Sequence, residues 1–185
     1  MIANPKKEQI IKETQNIIQK MGFKEFSINL LGERLNVHRS TILYYFSNKE
    51  EILNEALKEY RKGFLQELEE IKKENISLKE KLKKYINIHK EVLLNRNKIC
   101  LCAALGSDFP SLPKSIQNQI LIHVKENTNF IFEITNNSLQ ENNLENKSKL
   151  FVNSLQGIMM VYRNENNVKK FLEETSLLIK ILYGI

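Results

Sequence analysis

One stretch limits the possible folds more than any other: Ser27 to Lys49, SINLLGERLNVHRSTILYYFSNK. Ser27 carries the side chain of a helix N-cap, and Ile28, Leu31 and Leu35 follow on one face at helical spacing. Asn36 stands where the chain must reverse, and Asn enters the left-handed region more readily than most residues with a Cβ. Val37 is an apolar plug between two helices. A second helix is predicted from Arg39 to Phe46, with Ile42 and Phe46 facing inward and Arg39, Ser40, Leu43, Tyr44 and Tyr45 looking elsewhere. Asn48, with Glu51 three residues on, has capping-box spacing and opens a third helix. Helix, tight turn and short helix make a helix-turn-helix, the layout that sets its second helix in the DNA major groove.

The rest of the sequence is built for helices. Gly and Pro number only 6 and 3 in 185 residues, and 42% of the residues are hydrophobic, enough for a sizeable core. A first helix is predicted from the cap Asn4-Pro5 to Gly22, with Ile10, Ile11, Thr14, Ile17, Ile18 and Met21 as its buried stripe. A long helix begins near Lys49, and the polar stretch Lys72 to Ser77 links it to the next, which opens on a capping box of Ser77 and Glu80. Leu78, Leu82, Tyr85 or Ile86, His89 and Leu93 share one face of that helix, and Asn95-Arg96-Asn97 breaks it. A short apolar helix at Cys100 to Leu105 and a loop at Phe109 to Pro113 follow. Beyond them, Ile116, Ile120, Val124, Asn127 and Ile131 mark one helical face. Two last helices are predicted at about Lys147 to Arg163 and Val168 to Tyr183, after an exposed connection from Asn136. The expected fold is all-α, with about nine helices.

The formal net charge of +6 suits an anionic partner, although lysine-rich surfaces also serve solubility. Two cysteines, Cys100 and Cys102, are no disulfide framework; two positions apart on a helix, they fall on nearly opposite faces. They read as packing residues, and no metal or cofactor is expected. The start MIANPKKEQIIKETQ has no apolar leader, and no run is long enough to span a membrane, so the expected location is cytoplasmic. Neither a Ser-His-Asp order, a phosphate-binding glycine loop nor a zinc-protease helix occurs, so no enzyme is expected.

The residues LGERLNVHRSTILYYFSNKEEIL resemble the DNA-binding signature of the TetR family of transcriptional regulators, with matches at Leu31, Val37, Thr41, Tyr44, Phe46, Lys49 and Glu50. Gly32 and Leu35 replace the usual Ala residues, Asn36 the usual Gly, His38 the usual Ser and Asn48 the capping Ser. Leu43 stands where the family most often has a Tyr that touches DNA. The resemblance implies a helix-turn-helix domain at 1–48 and a helical regulatory and dimerisation domain at 49–185. It implies a homodimer on a palindromic double-stranded operator, acting as a repressor and released by a small-molecule inducer. The alternative is a DNA-binding adaptor or architectural protein with no inducer.

The candidate DNA contacts are Arg39 and Ser40 in the first turn of the recognition helix, with Asn29, His38, Thr41, Leu43, Tyr44 and Tyr45 around them. By resemblance Lys49 grips a backbone phosphate, helped by its place at a helix N-terminus. By resemblance the effector lies within the regulatory domain, where Tyr85, His89, Cys102, Phe109, Ile120, Val124 and Phe130 are available to line its site. Such a lining implies a largely apolar ligand with one or two polar groups. By resemblance the last two helices form a four-helix interface with a partner, for which Ser154, Leu155, Gly157, Ile158, Leu178 and Leu182 are the candidate residues.

Overall fold

The computed structural model describes residues 5–95, 98–139, 141–165 and 167–185. The chain runs through α1 (Pro5–Met21), α2 (Ile28–Leu35), α3 (Arg39–Tyr45), α4 (Lys49–Lys73), α5 (Leu78–Leu94) and α6 (Leu101–Gly106). A 3₁₀ turn (Phe109–Ser111), α7 (Lys114–Asn136), α8 (Leu144–Glu165) and α9 (Val168–Tyr183) complete it. The described residues are all-α, with nine α-helices and no strand, as the sequence predicts. The cap expected at Asn4, and Arg96 and Asn97 of the expected break after α5, lie outside the described residues.

The chain divides into two compact units, Met1–Gly63 with Leu101–Leu121, and Phe64–Cys100 with Ile122–Ile185. In the first, α1 packs on α2 and α6, and α2 packs on α3. Ile17 and Ile18 of α1, Leu31 of α2, Ile42 of α3 and Ile52, Leu53, Ala56 and Leu57 of α4 are buried, with Phe26 and Phe46. Each of the larger side chains contributes about 1.5–3 kcal/mol by leaving water. Gly22 ends α1 at φ +90°, where a Cβ is strongly disfavoured, and its N–H returns to the Ile18 carbonyl at 2.9 Å. The Gln15 side-chain amide donates to the Ala56 carbonyl at 2.9 Å and ties α1 to α4.

In the second unit α8 and α9 pack along each other, and α5 packs against both. The capping box at Ser77 and Glu80 is present in both arms, with Glu80 N–H to Ser77 Oγ at 3.3 Å and Ser77 N–H to Glu80 Oε2 at 2.9 Å. The expected apolar face of α5, from Leu78 to Leu93, is buried throughout.

Several expectations are corrected. Val124 is 44% exposed, and His123 is buried in its place. At 3.6 residues per turn each four-residue step overshoots a full turn by about 40°, so by Val124 the row from Ile116 has swung out of the core. Helix α8 starts at Leu144 rather than near Lys147, because Leu144 and Ser148 are buried and pull the first turn into the core. Asn143 precedes it at φ +73°. Phe109 heads a 3₁₀ turn instead of lying in an irregular loop. Met21, expected on the buried stripe of α1, is exposed.

Candidate functional site

The helix-turn-helix forms through local bonds. Ser27 caps α2 by accepting from Leu30 N–H at 3.1 Å. Asn36 ends α2 in the left-handed region, at φ 52° and ψ 48°. Its N–H donates to the Glu33 carbonyl at 3.3 Å, and Val37 N–H donates to the Gly32 carbonyl at 2.9 Å. This closure draws the turn back over α2 so tightly that a Cβ on Gly32 would stand 2.8 Å from the Val37 carbonyl oxygen. An alanine at this position, usual in the resembling family, therefore does not fit the turn as it stands.

Helix α3 is held by the buried side chains of Ile42 and, at its C-cap, Phe46. Arg39, Ser40, Leu43 and Tyr44 are exposed, Tyr44 at 82%. Tyr45 is half-buried and meets Tyr44 edge-on, with ring centroids 5.0 Å apart. Thr41 is half-buried, while His38 and Asn29 are exposed. Arg39 Nη1 donates to Asn29 Oδ1 at 3.0 Å and so joins the first residue of α3 to the first turn of α2. Asn29, Gly32, Glu33, Asn36, Val37, His38 and Arg39 line one surface depression.

The start of α4 is also fixed. Glu51 N–H donates to Asn48 Oδ1 at 2.9 Å, as the capping pattern predicts, but the return arm of Glu51 takes the N–H of Ser47 at 2.6 Å. That bond holds the Glu51 carboxyl below its usual pKa. The Lys49 ammonium lies over the rings of Phe23 and Phe26, 4.2 and 5.1 Å from their centroids. Partial burial lowers its pKa from the ordinary lysine value. Lys7 Nζ stands 5.2 Å from the centroid of the Phe46 ring. Two positive charges are thus seated on aromatic faces, one of them that of the α3 C-cap Phe46, and both are partly withdrawn from water. Ser115 Oγ donates to Glu50 Oε1 at 2.7 Å, and Gln119 Nε2 donates to Asn54 Oδ1 at 2.8 Å, so the N-terminal turns of α7 brace the first turns of α4.

Of the residues expected to line an effector site, the structure gathers Tyr85, His89 and Phe130 in the second unit. Cys102, Phe109 and Ile120 belong to the first unit, and Val124 is exposed. Tyr85 and His89 are both buried, with ring centroids 4.8 Å apart. Phe64, Phe130 and Phe151 surround Tyr85 at centroid distances of 6.4, 5.7 and 6.1 Å. Tyr85 Oη donates to Asn127 Oδ1 at 2.6 Å, and Asn127 Nδ2 donates to the His123 carbonyl at 2.8 Å.

His89 Nδ1 faces the Tyr85 carbonyl at 3.1 Å, which assigns the ring proton to Nδ1. Its Nε2 is then free to accept from Gln156 Nε2 at 3.4 Å. Gln156 Oε1 is buried and accepts no bond among the described residues. Burial drives the His89 pKa down and the Tyr85 pKa up, so both are held neutral. Cys100 Sγ lies 3.7 Å from His123 Nε2; Cys100 and Cys102 are both buried and form no disulfide.

The residues expected at a dimer interface divide. Leu155 is 0% exposed and Leu182 is buried, so both face the protomer's own core. Ser154, Ile158 and Leu178 are half-buried, and Gly157 is exposed. The same two helices expose Leu150, Met160, Val161, Leu177 and Ile181, the last at 69%.

Sequence reasoning misses Asn127 as the partner of Tyr85, and misses Gln156 and Phe64. A visible signal exists for part of this set: Ser115, Gln119, His123 and Asn127 recur every four residues, a row of polar side chains along a helix whose other residues include Ile116, Ile120 and Ile131.

A family model for bacterial regulatory proteins of the tetR family matches residues 10–56, which covers most of α1, all of α2 and α3, and the start of α4. The fatty acid metabolism regulator protein of Bacillus subtilis (strain 168) is 32% identical over 101 residues, 55% of this chain. The chain spans about half of that relative's length, 52%. A TetR transcriptional regulator from Legionella pneumophila superposes with a TM-score of 0.88 at 26% identity, over 95% of both chains. A TetR-family regulator from Agrobacterium tumefaciens shares the fold, with a TM-score of 0.86 at 20% identity over 98% of this chain and 99% of its own. The helix-turn-helix segment at residues 10–56 is thus that of the tetR family of bacterial regulatory proteins, and the described residues share the fold of TetR-type regulators.

Proposed function

We propose that this regulator is a repressor that binds a palindromic operator as a homodimer and leaves it when a small molecule binds. Residues 1–48 act as the DNA-binding head and residues 49–185 as the regulatory and dimerisation part, working in the cytoplasm. The observation that carries the reading is the state of α3. One buried residue and its C-cap hold it, while Arg39, Ser40, Leu43 and the 82% exposed Tyr44 are left uncovered, with Lys7 on the ring of the C-cap Phe46 and Lys49 on that of Phe23. Arg39 offers a donor fork that matches guanine O6 and N7, and Tyr44 and Lys49 suit phosphate oxygens. One such helix reads only a few base pairs. Two heads on a two-fold axis would read half-sites about 34–36 Å apart.

The effector reading rests on the core of the second unit. Tyr85, His89, Asn127 and Gln156 bring polar groups into an aromatic shell, where each needs a partner, and Gln156 Oε1 has none among the described residues. Such a shell suits an effector with a long apolar body and one or two polar groups. The Bacillus subtilis relative regulates fatty acid metabolism, so fatty-acid-derived compounds are the first class to test. The effector must bind the released state better than the DNA-bound state.

The test is to enrich duplexes from a random pool on the purified chain, then challenge the complex with fatty acids and their thioesters. A shared symmetric sequence, released by one of these compounds, is the expected result. No enrichment would overturn the DNA reading, and a stable complex under every effector would favour an adaptor without an inducer.

A further inference from the structure

We infer that Asn29 sets the direction of the Arg39 guanidinium, and with it the base preference at the position Arg39 reads. The inference rests on the DNA-binding reading above. Arg39 Nη1 donates to Asn29 Oδ1 at 3.0 Å. A guanidinium carries donors only, so it fixes the Asn29 amide: the carbonyl faces Arg39 and the NH₂ faces away. Both side chains are otherwise exposed, so this bond is what restrains a long, flexible arginine ahead of binding.

Two consequences follow from the donor and acceptor inventory. Arg39 keeps its remaining N–H groups for a bidentate contact, which fits guanine O6 and N7 and no other base edge as well. Paired Asn29 turns its Oδ1 toward Arg39 and commits one of that oxygen's two lone pairs, so the two-bond contact with adenine, which needs the acceptor and the donor together on the base edge, competes with the Arg39 bond. Its NH₂ meets acceptors only. The choice of partner matters too. Glu33 lines the same depression, yet the guanidinium bonds the neutral amide, and its full positive charge remains available to the duplex. Asn29 is therefore a positioning residue as well as a contact.

The experiment uses the full chain and its selected operator, with each of the other three bases substituted at the position where Arg39→Ala loses discrimination. Dissociation constants are measured for the parent, Asn29→Ala, Asn29→Asp, Arg39→Ala and the Asn29→Ala/Arg39→Ala double variant. The parent should prefer its base by roughly 5- to 150-fold. Asn29→Ala should lose most of that preference, and the double variant should discriminate no worse than Arg39→Ala alone. Asn29→Asp, which keeps an acceptor for Arg39 but loses the NH₂, should retain the preference while binding every duplex more weakly. If Asn29→Ala weakens all four duplexes equally and keeps the parent's preference, Asn29 is only a contact and the inference is overturned. A parent that prefers no sequence on any duplex overturns the DNA-binding reading and this inference with it.

Discussion

Gly32→Ala sets two effects of opposite sign against each other, and the structure decides between them. Alanine is the better helix former by about 0.8–1.0 kcal/mol, and Gly32 lies inside α2 with no positive φ. On that ground alone the substitution stabilises. The new Cβ would, however, stand 2.8 Å from the Val37 carbonyl oxygen, a backbone atom that no side-chain rotation can move. Val37 is itself pinned, since its N–H bonds the Gly32 carbonyl at 2.9 Å. Relief requires the turn to lift, at a cost of about 1–3 kcal/mol for overpacking a tight contact. The net expectation is a loss of up to about 2 kcal/mol, with the larger effect on DNA binding because the lifted turn carries α3 with it. Gly63→Ala is the control: Gly63 is an exposed residue of α4 with nothing within 4 Å of an added methyl group, so it should stabilise by about 0.4–1 kcal/mol. Urea unfolding of both variants, with operator titrations, checks the pair. If Gly32→Ala stabilises as much as Gly63→Ala and binds DNA as the parent does, the close approach does not constrain the turn.

Three further expectations concern the second unit. Tyr85→Phe leaves the buried Asn127 Oδ1 without its donor and should cost about 1–3 kcal/mol in urea unfolding; a loss below about 0.5 kcal/mol would show that the hydrogen bond at 2.6 Å contributes nothing net. His89 is held neutral by burial, so its folded pKa lies below the ordinary 6.5. Below pH 6.5 the unfolded chain takes up a proton that the folded chain refuses, so stability is complete above that pH and falls as the pH drops toward the folded pKa, by up to about 1.4 kcal/mol per pH unit. His89→Gln should flatten that slope between about pH 6.5 and 5.5, and an unchanged slope would assign it to another group. Ile181→Glu alters a side chain that is 69% exposed in the protomer, so it should leave folding within about 0.5 kcal/mol and separate the dimer; sedimentation showing an intact dimer would remove this face from the interface.

What the sequence discloses follows from how far each interaction reaches along the chain. Ser27, Asn36 and the Ser77–Glu80 capping box are legible because each is a bond between residues a few positions apart. The fold class is legible because apolar residues recur at helical spacing in every segment. The partner of Tyr85 is not, since Asn127 is 42 positions away and only tertiary packing brings it there. The faces of α8 and α9 are hard for another reason. Each helix has two apolar sides, one in its own core with Leu155 and Leu182 and one outward with Met160 and Ile181, and a sequence shows only their sum. Leu155→Glu would thus place a charge in the core and unfold the protomer before it tested an interface. Val124 is misplaced by the accumulated drift of a four-residue step, and Leu144 is hidden by the Asn- and Glu-rich run around it.

The most direct measurement of the central claim is hydroxyl-radical footprinting of the selected duplex, with the stoichiometry of the same complex from sedimentation. Two protomers carrying two copies of α3 should protect two patches centred one helical turn, roughly 34–36 Å, apart, related by the symmetry of the sequence. Arg39→Ala should weaken both patches together, by about 1–3 kcal/mol of binding free energy. A single protomer on a single asymmetric patch, or protection that survives unchanged in Arg39→Ala, would contradict it.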